Sequence, residues 1–127
     1  MIGIVIVAHG GLARELQNAM EHVVGRKPGV LAISIGAEDD RTRRQREICD
    51  AADAVDTGDG VVVVTDMFGG SPSNLSLRAC SPEDRWIIYG ANLPMLVKLA
   101  KSRHLPVQKA VECAKTAGRK YIDCMNG

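Results

Sequence analysis

The sequence predicts an α/β fold with a doubly wound, mainly parallel central sheet and helices on both faces. Short apolar runs rich in valine and isoleucine alternate along the chain with longer segments whose apolar residues recur at helical spacing. Within the short runs apolar and polar residues do not alternate, which is typical of strands buried on both faces. Aromatic residues make up only 3% of the chain, so we expect a core built from aliphatic side chains.

Short aliphatic runs are expected to form the strands. The run Ile2–Ala8 is apolar throughout and too short for a helix, and Val61–Thr65 has a β-branched residue at every position. Val30–Ile35 and Trp86–Tyr89 complete the set of four parallel strands. A further short strand is expected at Lys120–Met125, after the last helix.

Amphipathic segments between and after these strands are expected to form helices. Their apolar residues recur three or four positions apart, and glycine, proline or a capping residue marks their ends. Ser71 is expected to cap the third helix, Asn92 the fourth, and Gly118 to end the last. One predicted helix follows the charged stretch Glu38–Arg46 and ends near Val55. The other predicted helices are Leu12–Val24, Pro72–Ala79, Asn92–Ser102 and Val107–Ala117.

Length and charge limit the classes of function. The 127 residues suffice for one domain, and we expect residues 1–127 to form a single domain. Lysine and arginine number 16 against 15 acidic residues, a net charge of +1, which argues against a dedicated nucleic-acid binder. No basic leader precedes the first strand, and no apolar run is long enough to cross a bilayer. We therefore expect a soluble, cytoplasmic protein.

Neither a disulfide framework nor a metal site is expected. The histidines His22 and His104 fall on or after predicted helices, where surface or packing roles are the simpler interpretation. The cysteines are spread singly, without a CxxC motif, and are interpreted as reduced, mostly buried thiols: Cys49, Cys80, Cys113 and Cys124.

Two residues at the carboxyl ends of predicted strands carry the first functional hypothesis. His9 follows the first strand and precedes two glycines, so a large group can approach its ring. Asp66 follows the third strand. If these strands are neighbours, Asp66 can accept a hydrogen bond from one ring nitrogen and leave the other as a nucleophile. The alternatives are a histidine that only caps its strand and an aspartate that only caps a turn or helix.

The segment after Asp66 is a candidate anion site. Gly69 and Gly70 leave backbone N–H groups uncovered, and the start of the next helix adds further donors and a positive dipole end. A phosphoryl group could be held there without a metal ion. Ser71 can add its hydroxyl, although its role as helix cap is an alternative, and Thr65 and Ser73 are weaker candidates of the same kind.

Two other phosphate-related classes fit the sequence less well. A receiver domain also carries an acidic residue after its third strand, but it needs an acidic pair after the first strand to bind magnesium. That place is held here by Ala8, His9 and Gly10. A Walker-type nucleotide site is excluded because the chain contains no GxxxxGK[ST] motif.

Three blocks of the sequence resemble a known family. The segments IGIVIVAHGGLA, VVVVTDMFGGSPSNLSLR and YGANLPMLVKL are similar, in order and spacing, to the mannose-type enzyme IIA of the bacterial phosphoenolpyruvate-dependent sugar phosphotransferase system. The resemblance covers essentially the whole chain. It implies an α/β fold with a central parallel sheet, and a homodimer in which the terminal strand, here Lys120–Met125, lies antiparallel at the edge of the partner's sheet.

The resemblance also implies roles for individual residues. His9 is expected to be phosphorylated on Nε2, and Asp66 to hydrogen-bond its Nδ1. Gly69, Gly70 and Ser71 are expected to line the phosphoryl site, and no cofactor is implied.

The partners that the resemblance implies are proteins. The donor is expected to be the phosphocarrier protein HPr, and the acceptor a separate IIB protein, because no linker and IIB domain follow Gly127. Met67 and Phe68 are expected to contact these partners, the alternative being simple loop packing. Peripheral association with a membrane permease is compatible with this role.

Two related functions remain as alternatives. The protein could be a regulatory phosphoprotein whose partner detects phosphorylation of His9 without sugar transport. The IIA component of a dihydroxyacetone kinase system shares the fold and the histidine, but the GGSP and NLPM blocks found here make this assignment less favourable.

Overall fold

A parallel sheet of four strands forms the centre of the described structure, in the order β2-β1-β3-β4. The structure is a computed structural model that describes residues 1–67, 71–77 and 84–127, and of residues 71–73 only the backbone. The strands are β1 (Gly3–His9), β2 (Val30–Ile35), β3 (Val61–Thr65) and β4 (Arg85–Tyr89). The helices are α1 (Leu12–Val24), α2 (Arg41–Val55), α3 (Ser71–Ser76), α4 (Leu93–Lys101) and α5 (Val107–Lys120).

Helices cover both faces of the sheet, which confirms the predicted fold class. Along β1, Ile4 and Ile6 belong to an apolar cluster that includes residues of α1, α4 and α5. The alternate residues Val5 and Val7 pack in a second cluster with α2 and with Leu75 of α3. Because successive strand residues point to opposite faces, an unalternating aliphatic strand is the sequence that such burial requires.

The strand order brings the ends of β1 and β3 side by side. Val7 is the register partner of Thr65, and both strands run in the same direction. From β1 the chain passes through α1 to β2 on one side, whereas β3 lies on the other side of β1. The order therefore reverses between β1 and β3, and a crevice at the carboxyl ends of these two strands is the expected ligand position in such sheets.

Arg103 forms hydrogen bonds to backbone carbonyl groups at the opposite, amino-terminal end of the sheet. Its side chain is buried, and its Nε donates a hydrogen bond to the carbonyl oxygen of Ile2 at 2.6 Å. Nη1 donates to the carbonyl of Pro28 at 2.7 Å and Nη2 to that of Gly29 at 3.3 Å. Burial lowers the pKa of Arg103. Arg103 thus links the segments that precede β1 and β2 at the amino-terminal end of the sheet.

The last helix extends further than predicted. Gly118 was expected to end it, but α5 continues to Lys120, and that prediction is wrong. A Cβ atom at Gly118 would lie only 3.1 Å from Cβ of Met95, and its carbonyl accepts a hydrogen bond from Nδ2 of Asn92 at 3.1 Å. The glycine therefore allows α4 and α5 to approach closely and does not mark a helix end.

Three other predicted elements differ from the structure. The helix α2 begins at Arg41, inside the charged stretch Glu38–Arg46 that was expected to precede it. In the single chain no strand forms at Lys120–Met125: Lys120 belongs to α5 and the exposed residues that follow have no strand beside them. A strand needs a neighbour to satisfy its backbone groups. The third helix begins at Ser71, so Ser71 is its first residue and does not precede it as a cap. Ala79, the predicted end of this helix, lies outside the described residues.

The predicted cap of α4 is confirmed. Asn92 immediately precedes this helix, and its Oδ1 accepts a hydrogen bond from the backbone N–H of Met95 at 3.0 Å. This bond satisfies one of the N–H groups that a helix start leaves without a backbone partner. None of the helices in the described ranges has the length and apolar character that crossing a membrane would need.

Candidate functional site

His9 is the last residue of the central strand β1 and lies at the carboxyl-terminal end of the sheet. Its side chain is 49% exposed, although the preceding strand residues are buried. Gly10 follows in the left-handed region with φ 55°, which a residue with a side chain adopts only with strain. Its N–H donates to the carbonyl of Ile35 at 2.9 Å. The chain therefore turns away immediately after His9 and leaves the ring accessible.

Asp66 holds His9 through both the ring and the backbone. Its Oδ2 lies 2.8 Å from Nδ1 of His9 and 3.0 Å from the backbone nitrogen of the same residue. Its other oxygen, Oδ1, accepts a hydrogen bond from the N–H of Met67 at 2.9 Å. The carboxylate is only 12% exposed. Both of its oxygens are therefore occupied by donors at the end of β1 and the start of the loop after β3.

This geometry determines which ring nitrogen of His9 is available. An ionised carboxylate can only accept hydrogen bonds, so the proton of a neutral ring lies on Nδ1. The lone pair then lies on Nε2, which has no hydrogen-bond partner among the residues whose positions are described. The arrangement presents one nucleophilic nitrogen in a fixed orientation at the surface.

The environment of Asp66 keeps its carboxyl group ionised. Burial by itself would raise the pKa of Asp66. The hydrogen bonds from the ring and backbone of His9, the positive charge that the ring can carry and the N–H of Met67 act in the opposite direction and outweigh it. The pKa of Asp66 is therefore lowered from 3.8, and the group is a carboxylate at neutral pH.

The other predicted site residues are placed only in part. Gly69, Gly70 and Phe68 lie outside the described residues, and of Ser71 only the backbone is described, at the start of α3. Met67 directly follows Asp66 and its side chain is exposed.

Of the two weaker candidates for the phosphoryl site, the structure describes the side chain of Thr65 but not that of Ser73. The side chain of Thr65 is fully buried, which argues against contact with a ligand at the surface. Ser73 lies in α3, and only its backbone is described.

The sequence did not single out three features of this edge. Leu12, at the start of α1, and Tyr89, at the end of β4, both have exposed side chains. Gly11, the cap residue of α1, provides no side-chain hydrogen bond, so the first N–H groups of that helix have no side-chain cap. The signal that could have identified these residues was their position at, or within four residues of, the end of a predicted strand.

The remaining histidines take no part in this site. His22 lies in the last turn of α1 and His104 between α4 and α5, both at the amino-terminal edge of the sheet. Within the described ranges, no group of three histidine, cysteine or acidic side chains is arranged to hold a metal ion.

Comparison with known proteins decides the family. Residues 3–116 match the EIIA-man family, which is described as the PTS system fructose IIA component. The chain belongs to this family. The resemblance to mannose-type enzyme IIA proteins of the sugar phosphotransferase system is thereby confirmed.

Individual relatives agree with this assignment. The chain is 33% identical over 128 residues to the PTS system mannose-specific EIIAB component of Escherichia coli K12, an alignment that covers 98% of this chain and 39% of that protein. The chain thus spans about two fifths of the length of this relative.

Solved structures support the fold. The phosphotransferase system component EIIA from Streptococcus agalactiae superposes with a TM-score of 0.82 at 26% identity, covering 98% of this chain and 97% of that one. The mannose/sorbose-specific IIA subunit from Enterococcus faecalis has a TM-score of 0.85 at 23% identity, with 99% and 96% of the two chains covered. At that identity the second comparison supports the fold alone.

The bonds of Asp66 predict a stability effect that depends on pH. Because an amide cannot replace all three charge-assisted hydrogen bonds, Asp66→Asn is expected to lower the free energy of unfolding by about 1–2 kcal/mol near neutral pH. A carboxyl group with a lowered folded pKa stabilises the fold above its unfolded value of 3.8, and this contribution is lost as the pH falls through the folded value. The difference between the two proteins should therefore shrink below pH 3.8.

Urea denaturation at about pH 7 and about pH 3 measures this difference. Asp50→Asn is the matched control, because Asp50 is exposed on α2 and its replacement should change stability by less than about 0.5 kcal/mol. A difference for Asp66→Asn that is the same at both pH values would contradict the role assigned to the carboxylate.

Proposed function

We propose that the protein accepts a phosphoryl group from phospho-HPr on Nε2 of His9 and passes it to a IIB protein during sugar uptake. The observation that carries this proposal is the 2.8 Å contact between Asp66 and Nδ1 of His9, which leaves Nε2 as the accessible nucleophile. Membership of the EIIA-man family supports the same chemistry. The description of the family names fructose and that of the relative names mannose, so the proposal extends to a sugar in general.

The transfer requires no metal ion or nucleotide at this step. In the donor, phosphorus is bonded to an imidazole nitrogen. The lone pair of Nε2 attacks phosphorus, a new N–P bond forms, and the bond to the donor breaks with its electron pair returning to the leaving nitrogen. Nδ1 keeps its proton, so the ring of His9 gains positive charge. Passing the group to the acceptor reverses these changes.

Asp66 contributes orientation and charge. Its carboxylate lies next to Nδ1, where it stabilises the positive charge that develops on the ring as the N–P bond forms. The same contact, together with the bond to the backbone N–H of His9, holds the ring in one orientation for in-line attack. Positioning and electrostatic stabilisation are the main sources of catalysis in phosphoryl transfer.

We assign the oxygens of the phosphoryl group to the segment Gly69, Gly70 and Ser71. The support is positional: the segment follows Asp66 in the chain, and α3 begins at Ser71. Backbone N–H groups at such a position can bind an anion. Met67, exposed beside Asp66, and its neighbour Phe68 are assigned to contacts with partner proteins.

We also propose a domain, a cellular compartment and a membrane partner for the reaction. Residues 1–127 act as one IIA domain in the cytoplasm, and the chain associates peripherally with a sugar permease. In this role the protein is a phosphotransferase that forms a phosphohistidine intermediate.

We propose a homodimer because of two features: the outer strand β4 and the exposed carboxyl-terminal segment. Within the described residues β3 is the one strand that pairs with β4, and a strand at the side of a sheet can pair with a strand of another chain. Trp86 and Ile87 on this strand are only half-buried. Ile122 and Met125 in the carboxyl-terminal segment are exposed. We propose that this segment pairs antiparallel with the edge of the partner's sheet.

Phosphorylation of the protein tests the proposed chemistry. Incubation with phosphoenolpyruvate, enzyme I and HPr is expected to place one acid-labile phosphate on the wild-type chain and none on His9→Ala, because His9 is the histidine whose ring is oriented by a carboxylate. His22→Ala and His104→Ala are the matched controls and should be labelled like the wild type. Labelling of His9→Ala at the wild-type level would rule out the mechanism.

The proposed dimer can be tested by changing the carboxyl-terminal segment. Deletion of residues 121–127, or the single change Ile122→Asp, is expected to shift the mass measured by light scattering from two chains towards one, since a buried charge would disrupt the pairing. Val23→Asp, at an exposed position of α1, is the control and should leave the mass unchanged. An unaltered mass after both changes in the segment would argue against strand exchange.

A further inference from the structure

We infer that Asp39 is a positioning residue for phosphoryl transfer, because it holds the turn that follows His9 through a single peptide group. Asp39 lies between β2 and α2. The inference rests on the proposed function, since it concerns the same histidine. It adds a second carboxylate to the site, one that acts on the backbone next to His9 and not on the ring.

The peptide group between Ile35 and Gly36 connects Asp39 to the histidine. Its N–H donates a hydrogen bond to Oδ2 of Asp39 at 2.6 Å, and its C=O accepts one from the N–H of Gly10 at 2.9 Å. A peptide group is planar, so the carboxylate that holds the N–H also sets the direction of the C=O. The contacts therefore lead from Asp39 through one rigid unit to the residue directly after His9.

Both peptide groups that flank His9 are held by hydrogen bonds. On the side of β3, Asp66 accepts the backbone N–H of His9 at 3.0 Å. On the side of β2, the N–H of Gly10 is bonded to the carbonyl of Ile35. The planes of these two peptide groups determine φ and ψ of His9, and with them the direction of its side chain. Asp66 and Asp39 thus act on opposite sides of the same residue.

Asp39 is itself held by Arg44. Nε of Arg44 donates to Oδ2 of Asp39 at 2.9 Å, and Nη1 donates to Glu47 at 2.6 Å. The hydrogen bond from the N–H of Gly36 and the contact with Arg44 lower the pKa of Asp39 from 3.8, so this group is a carboxylate at neutral pH. A charged acceptor polarises the peptide group, and its C=O becomes a stronger acceptor for the N–H of Gly10.

A different residue caps α2. The cap is Asp40, whose Oδ1 accepts hydrogen bonds from the N–H groups of Thr42 at 3.0 Å and Arg43 at 3.3 Å. The carboxylate of Asp39 lies instead against the end of β2. A Cβ atom at Gly36 would lie 3.3 Å from Oδ1 and 3.4 Å from Oδ2 of Asp39, so the glycine leaves room for this approach. The two neighbouring acids therefore have separate roles.

The test compares Asp39→Ala with the wild type in single-turnover phosphoryl transfer from phospho-HPr. We expect the maximal rate to fall by about tenfold or more, because a reacting group displaced by about 1 Å can lose up to about a hundredfold in rate. The half-saturating concentration of phospho-HPr should stay within about twofold, since the nucleophile is misdirected while the donor still binds. Glu38→Ala is the matched control: it removes the same charge at an exposed neighbouring position, and its rate should stay within about twofold of the wild type.

A conservative variant and one backbone amide separate positioning from a general effect on the fold. Asp39→Asn keeps an oxygen that can accept the N–H of Gly36, so its maximal rate should stay within about threefold of the wild type. Hydrogen exchange of the Gly10 amide, measured by nuclear magnetic resonance, should be faster by about tenfold or more in Asp39→Ala and close to the wild-type rate in Asp39→Asn.

The possible results distinguish this inference from the proposed function. An unchanged maximal rate in Asp39→Ala, an equal loss in Glu38→Ala or in Asp39→Asn, or unchanged exchange at Gly10 would overturn the role of Asp39 while phosphorylation of His9 still stands. Absence of any label on the wild-type chain would instead overturn the proposed function together with this inference.

Discussion

The hydrogen bond between Asp66 and His9 is the interaction on which the proposed chemistry depends. One carboxylate oxygen contacts both Nδ1 and the backbone N–H of His9, so it fixes the tautomer and the position of the ring together. The contact costs part of the solvation of the carboxylate, and donors from His9 and Met67 more than offset that cost, as the lowered pKa of Asp66 shows. The result is a nucleophile whose direction is determined by the fold.

The sheet makes this contact possible. Because β1 and β3 are adjacent and parallel, the residues that follow their buried parts meet at the same edge. The aliphatic side chains of both strands are held between two helical layers, which keeps the strand ends in register. Gly10 then turns the chain away from His9. Arg103 forms hydrogen bonds at the opposite end of the sheet, whereas the side chain of His9 at this end is 49% exposed.

Sequence reasoning was most successful where the local pattern determines the structure. The aliphatic runs located β2 and β3 at their observed bounds, and the spacing of apolar residues did the same for α1. It was less successful where contacts distant in sequence decide. Gly118 has the local signature of a helix end, but its packing against Met95 keeps it inside α5. The exposure of Tyr89 likewise depends on which elements surround the end of β4. From the sequence, a hydrogen bond between Asp66 and His9 could be predicted only on the condition that β1 and β3 are neighbouring strands.

The position of phosphorus on the ring of His9 shows directly whether Asp66 determines which nitrogen reacts. Nuclear magnetic resonance of the phosphorylated protein with ¹⁵N-labelled histidine resolves both ring nitrogens and their couplings to ³¹P. Phosphorus is expected to be bonded to Nε2 of His9, with the proton retained on Nδ1. Phosphorus on Nδ1, or on another side chain, would contradict it, because Asp66 would then not determine which nitrogen reacts.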